Sequence, residues 1–121
     1  LRISSTGNEI WNKTFGGSGG ASGNALRETY EGGYILVCNY YNRGNSAFDI
    51  WLIKINLSGN LIWDKTFGGT NHDYGFSVLQ TFDGGFALAG STYNLGNGDA
   101  NYSDLWLIKT DPEGNTVSFP E

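Results

Sequence analysis

Methionine is absent from this chain of 121 residues, and cysteine, histidine and proline are scarce, at one, one and two copies. The lone Cys38 forms no intramolecular disulfide, so no cystine framework holds the fold, and it says little about redox compartment. No apolar run reaches the roughly 18 residues of a membrane-spanning helix, and the opening Leu1-Arg2-Ile3-Ser4-Ser5 lacks the apolar stretch of a signal peptide. Charge is sparse at 16%, and the seven Lys and Arg residues are outnumbered by twelve Asp and Glu, for a net charge of −5 at pH 7. That balance excludes a nucleic-acid or anionic-membrane surface, which needs basic patches. The missing methionine leads to the expectation of a processed chain or an excised piece of a longer one.

Glycine and aromatics fill the space that charge leaves. Nineteen glycines and 15% aromatics supply the turns and the large apolar side chains of an all-β protein, and no segment shows a helical period. The sequence also repeats itself. Ile10-Trp11-Asn12-Lys13-Thr14-Phe15-Gly16-Gly17 returns as Ile62-Trp63-Asp64-Lys65-Thr66-Phe67-Gly68-Gly69. Each copy is followed by a Gly-Gly turn (Gly32-Gly33, Gly84-Gly85), an Asp-x-Trp-Leu-Ile-Lys run starting at Asp49 and Asp104, and a Gly-Asn turn (Gly59-Asn60, Gly114-Asn115). Leu1-Arg2-Ile3 followed by Gly7-Asn8 reads as the tail of a third, truncated unit. Such periodicity signals stacked structural modules.

Each repeat divides into four strand-like runs. The first has 25–30, 34–41, 49–55 and 61–67; the second has 77–82, 86–93, 104–110 and a fading run at 116–119. Segment 9–15 precedes them as an orphan fourth strand. Glycine pairs at the turns supply the positive φ of tight hairpins, so consecutive strands are antiparallel neighbours. Ile35-Leu36-Val37-Cys38 and Ile50-Trp51-Leu52-Ile53 are continuous apolar runs, which implies burial on both faces. Ile62-Trp63-Asp64-Lys65-Thr66-Phe67 mixes polar and large apolar positions, as an outer, half-covered strand does.

Four antiparallel strands with buried inner members and a half-exposed outer one describe a propeller blade. The pattern Trp-x-Lys-Thr-Phe-Gly-Gly, Asp/Glu-Gly-Gly-aromatic, Asp-x-Trp-Leu-Ile-Lys and Gly-Asn resembles the tandem repeats of extracellular β-propeller proteins of archaea and bacteria, which often carry adhesion-type domains. The resemblance covers nearly the whole chain. It implies an all-β, β-propeller-type fold of two four-stranded antiparallel blades plus an orphan N-terminal strand: residues 1–20 as the outer strand of a preceding blade, 21–69 as blade one, and 70–121 as blade two with a degenerate last strand. Two blades do not close a ring of four to eight. Other copies in a homo-oligomer, or the remaining blades of a longer parent chain, are therefore expected to complete it, with 9–15 of one chain pairing beside 104–110 of the next.

Groups for catalysis are few. A nucleophilic triad would rest on His72 alone, in Thr70-Asn71-His72-Asp73, with no motif placing a Ser and an acid around it. Loop polarity is the plainer reading. Cys38 sits in an apolar run and reads as a buried, inert thiol. Asp49 and Asp104, like Lys54 and Lys109, recur once per repeat, which favours structural roles. Asn97, Asp99 and Asn101 alternate like the first ligands of a calcium loop, but Tyr102 stands where the turn glycine belongs and no twelfth-position Glu follows. No metal or cofactor is favoured.

Tyr40, Tyr41, Asn42 and Arg43 in one repeat and Tyr93, Asn94 and Tyr102 in the other are the candidate ligand-binding residues. Rings for stacking beside amides and carboxylates suit a sugar, and the same residues suit a protein contact. Asn12, Asn56 and Asn101 head Asn-x-Ser/Thr sequons, relevant only in a secreted chain. The reading is a non-enzymatic structural or adhesion module, extracellular or at the cell surface, contacting other surface proteins; the alternative is a lectin-like propeller that uses the Tyr/Asn loops to bind glycans.

Overall fold

The computed structural model describes residues 1–93 and 101–116. Within them the chain forms nine strands and no helix: β1 (Arg2–Ile3), β2 (Glu9–Trp11), β3 (Ala21–Glu28), β4 (Tyr34–Asn42), β5 (Ala47–Ile55), β6 (Leu61–Phe67), β7 (Asp73–Gln80), β8 (Phe86–Thr92) and β9 (Asp104–Thr110). They pair antiparallel, in chain order, into three sheets, β1-β2, β3-β4-β5-β6 and β7-β8-β9. The all-β class is as the sequence implies. None of these sheets closes on itself.

One five-residue turn recurs at five of the chain's reversals. At 4–8, 29–33, 56–60, 81–85 and 111–115 the first residue's N–H donates to the fifth carbonyl, at 2.7 to 2.9 Å, and the fourth residue's N–H returns to the first carbonyl. That fourth residue is always glycine at positive φ, as at Gly32 (94°) and Gly59 (83°), a conformation that other residues resist. The first side chain often caps the loop: Asn56 Oδ1 accepts from the N–H groups of Ser58 and Asn60, and Asp111 Oδ1 from Glu113 and Asn115. In the Gly-Gly pairs only the first glycine supplies positive φ. The second supplies space, since a Cβ on Gly33 would lie 2.3 Å from the carbonyl oxygen of Ile55, and one on Gly85 2.0 Å from that of Thr110.

Three expectations change. The strand in segment 9–15 is shorter, Glu9–Trp11, and it pairs with Arg2–Ile3 because the Ser4–Asn8 turn folds the start of the chain back on it. The first strand of each repeat begins earlier than sequence suggests, at Ala21 and Asp73, because a bulge at Gly23/Ala25 and again at Gly75/Ser77 carries the ladder through the glycine. The last run, 116–119, is represented by a single bridge, Thr110 to Thr116; its remaining residues lie outside those described.

Within the four-stranded sheet the inner strands β4 and β5 are covered on both faces, as their apolar runs require, while β3 and β6 are mostly exposed. Toward the three-stranded sheet it presents Ile35, Val37, Ile50 and Leu52, which pack with Val78, Phe86, Leu88 and Ile108. On the reverse face Cys38, Ile53 and Ile55 meet Trp11 and Phe15 of the N-terminal segment. Each fully buried side chain of this size contributes about 1.5–3 kcal/mol. The repeat recurs in its contacts: Trp11 meets Tyr34 edge-on at 6.2 Å and Trp63 meets Phe86 at 5.8 Å, while Lys54 pairs with Glu31 at 2.5 Å and Lys109 with Asp83 at 2.9 Å.

Gly75 is a point of close approach between the two large sheets. Its N–H donates to Asn39 Oδ1 (2.9 Å), its carbonyl accepts from Asn24 Nδ2 (2.5 Å), and a Cβ there would sit 2.5 Å from Val37 Cγ2 and 3.0 Å from Ile50 Cγ2. Gly75→Ala should therefore lower unfolding free energy by about 1–3 kcal/mol in urea titrations, the usual cost of overpacking. Gly23→Ala, at the matching position where a Cβ meets nothing within 4 Å, should leave the isolated chain nearly as stable as before.

Candidate functional site

Strand parity separates the residues that the sequence groups together. Tyr40 and Tyr41 are consecutive on β4 and therefore point to opposite faces. Tyr40 packs on Trp51, ring centres 5.8 Å apart, on the face toward the N-terminal segment. There Gly16, Gly17, Tyr40, Trp51, Asp64 and Thr66 line an open groove of about 270 Å³. Trp51 Nε1 donates to Asp64 Oδ2 at 2.8 Å, which fixes the indole beside a carboxylate. An aromatic floor with a fixed acid and a hydroxyl at its edge can stack on one face of a ring and hydrogen-bond its substituents.

Tyr41 belongs to a different construction on the opposite face. It meets Phe48 edge-on at 5.1 Å, Phe48 lies 5.7 Å from His72 and 5.6 Å from Tyr74, and His72 stacks on Tyr74 at 5.9 Å and 16°. His72 Nδ1 accepts the N–H of Phe48 at 3.1 Å, and the carbonyl of His72 accepts the N–H of Tyr93 at the same distance. His72 is thus a tie between the two large sheets and more than loop polarity. Burial pushes the Tyr74 hydroxyl upward, with the neighbouring Tyr93 adding to it.

The other candidates disperse. Asn42 is structural: its Oδ1 accepts from Gly44 N–H and its Nδ2 donates to Asp49 Oδ2. Arg43 is exposed on the β4–β5 turn and Tyr102 is exposed ahead of β9. Asn94, and with it Asn97 and Asp99 of the calcium-like run, lie outside the described residues, and Asn101 alone of that run is placed. Among the described residues no group of three or more His, Cys, Asp or Glu gathers as metal ligands. Of the sequon asparagines, Asn12 is exposed and bonds to Glu9 Oε1, whereas Asn56 is half-buried and caps its turn. Cys38 is buried and its thiol pKa is pushed up by that burial.

Sequence reasoning missed the Trp51–Asp64 bond and the Phe48–His72–Tyr74 row. Alternation along β4 and β5 is the signal that finds both. It also missed a carboxylate pair. Asp49 and Asp73 are both buried, and a Cβ on Gly68 would lie 2.2 Å from Asp49 Oδ1 and 2.8 Å from Asp73 Oδ2, so the two acids share the space above one glycine. Burial raises the pKa of Asp49, the hydrogen bond from Asn42 opposes this, and the charge of Asp73 adds to the rise.

No known family model matches the chain, and no curated protein sequence matches it either. No helix among the described residues is long and apolar enough to cross a membrane.

Two acids give opposite pH signatures. The folded state holds the Asp49 proton more tightly than the unfolded chain, whose carboxyl titrates near 3.8, so its favourable contribution is present below that value and is lost as pH rises through the raised folded value. Asp49→Asn keeps the Asn42 bond and should be more stable than the parent at pH 7, with the advantage shrinking toward pH ~4. Asp83 is held well below the usual carboxylate range by Thr81, Lys109 and the N–H of Gly85. Asp83→Asn should therefore be less stable at pH 7, with the gap closing as pH falls below the ordinary Asp value. Urea midpoints from pH 3 to 8 check both, and parallel pH profiles for the two variants would contradict the assignment.

Proposed function

We propose that the chain is a non-enzymatic structural and adhesion module of extracellular or cell-surface type, composed of two propeller-type blades whose turns and loops contact other surface proteins. The observation that carries this reading is where the chemically capable groups have gone. His72 Nδ1 is tied to a backbone N–H, Asn42 and Asp49 bind each other, and Lys54 and Lys109 neutralise Glu31 and Asp83. Side chains spent on holding sheets together are poor agents of turnover, while the same bonds hold the strands and turns in place. Repeated weak contacts at fixed spacing add through effective concentration. The Trp-x-Lys-Thr-Phe-Gly-Gly and Asp-x-Trp-Leu-Ile-Lys repeats support the extracellular propeller resemblance.

Beads coated densely with the folded chain should be retained on a layer of intact bacterial or archaeal cells, and the soluble chain should compete only weakly. Equal retention of beads carrying heat-unfolded chain would sink the reading.

The groove of Tyr40, Trp51, Asp64 and Thr66 favours a second reading, a lectin-like module for glycans. Trp51 lines that groove and reports on it directly. Under the adhesion reading, tryptophan emission stays unchanged up to millimolar glucose, galactose, mannose or N-acetylglucosamine; under the lectin reading one of them shifts it saturably, and Trp51→Phe removes the shift.

A further inference from the structure

The outer face of the three-stranded sheet is a copy of a face that the four-stranded sheet buries. Along the repeat, Ala25, Val37 and Leu52 correspond to Ser77, Ala89 and Leu107, and Ile50 corresponds to Leu105. The ladder confirms the correspondence: Ala25 pairs Val37 and Val37 pairs Leu52, as Ser77 pairs Ala89 and Ala89 pairs Leu107. In the four-stranded sheet these positions pack against the next sheet. In the three-stranded sheet the matching leucines lie open, Leu105 at 77% and Leu107 at 71% exposed. Phe82 is fully exposed at 104%, whereas its counterpart Tyr30 reaches across to the next sheet and bonds Gln80 through both N–H and hydroxyl.

The opposite end of the chain carries the complement. Val78 and Leu88, which fit against the four-stranded sheet, correspond to Leu26 and Leu36. Leu26 is 57% exposed, and with Leu36, Tyr34, Ile3 and Trp11 it lines an apolar groove of about 390 Å³. Gly23 lies on the same strand. Its counterpart Gly75 must be glycine because Val37 and Ile50 press on it, yet a Cβ built on Gly23 meets nothing within 4 Å. That side of β3 is open to a neighbour.

We propose that a second copy of this chain docks its three-stranded sheet into the Leu26–Leu36 groove, head to tail, and that its β9 replaces β1 as the partner of the N-terminal strand. β9 presents seven residues, Asp104–Thr110. Among the described residues the outer edge of β9 is held only by the bridge from Thr110 to Thr116. The pairing of β5 with β6 sets the register: Ile50 opposite Phe67 and Ile55 opposite Leu61 translate into Leu105 opposite Phe15 and Thr110 opposite Glu9. Segment 12–15 thereby becomes strand. The two surfaces are different, so the contact propagates to a closed ring or a filament according to the rotation per copy.

This inference rests on the structural-module reading and names its partner. Light scattering after size exclusion should give the parent chain a mass of several copies. Leu107→Lys and Leu26→Lys each place a charge on one of the two faces, at side chains exposed in the single chain, so each should stay folded and run as one chain. Mixed in equal amounts they should form a two-chain species and stop there, because one good face remains on each. Amides 12–15 should gain protection from hydrogen exchange in the parent but not in Leu107→Lys. A parent chain of single-chain mass at every concentration, or a mixture that stays single-chain, overturns the docking; bead retention tests the adhesion reading independently of that result.

Discussion

The close approach of the two large sheets at Gly75 is the constraint on which the rest depends. A backbone without Cβ settles between Val37 and Ile50, and two asparagines from the facing sheet take its N–H and its carbonyl. Once that distance is set, Val78, Phe86 and Leu88 reach the apolar surface of β4 and β5, and the aromatic row from Tyr41 to Tyr74 closes one end of the seam. A bulge beside a glycine is costly in an isolated strand. Here it lets a backbone that is fully bonded on one side meet a second sheet without losing its polar partners.

The repeated hairpin turn explains why sequence reports the strands so well. Its first residue, its glycine and its backbone bonds are local, so Thr29 to Gly33 or Asn56 to Asn60 specify the reversal without knowing the rest of the fold. The two-sided burial of β4 and β5 was legible for a related reason, since a strand covered on both faces cannot alternate. The recurring ion pairs followed from recurrence itself: Lys54 and Glu31 keep the same relation as Lys109 and Asp83.

The candidate site was less legible because it depends on which side of a sheet each residue takes. Tyr40, Tyr41, Asn42 and Arg43 form a patch in one dimension and fall on two faces and a turn in three. His72 looked like loop polarity because its partners, Phe48 N–H and the ring of Tyr74, come from a different sheet and from the strand that follows it. The carboxylates of Asp49 and Asp73 converge only because Gly68 leaves room between them, and no spacing in the sequence announces that. The beginnings of β3 and β7 were missed through the bulges, which break the alternation used to find strands.

The bulk of the contacts along the seam is uneven from one edge to the other. At the β7 edge a bare glycine lies against aliphatic side chains, whereas toward β6 the indole of Trp63 stands edge-on to Phe86 and crowds Gly114, just as Trp11 stands against Tyr34 and crowds Gly59. Indole and bare backbone thus divide the seam between them: at Gly75 the contact is made by what is missing, at Trp63 by what is added, so the size of one residue at each margin sets what can stand opposite it.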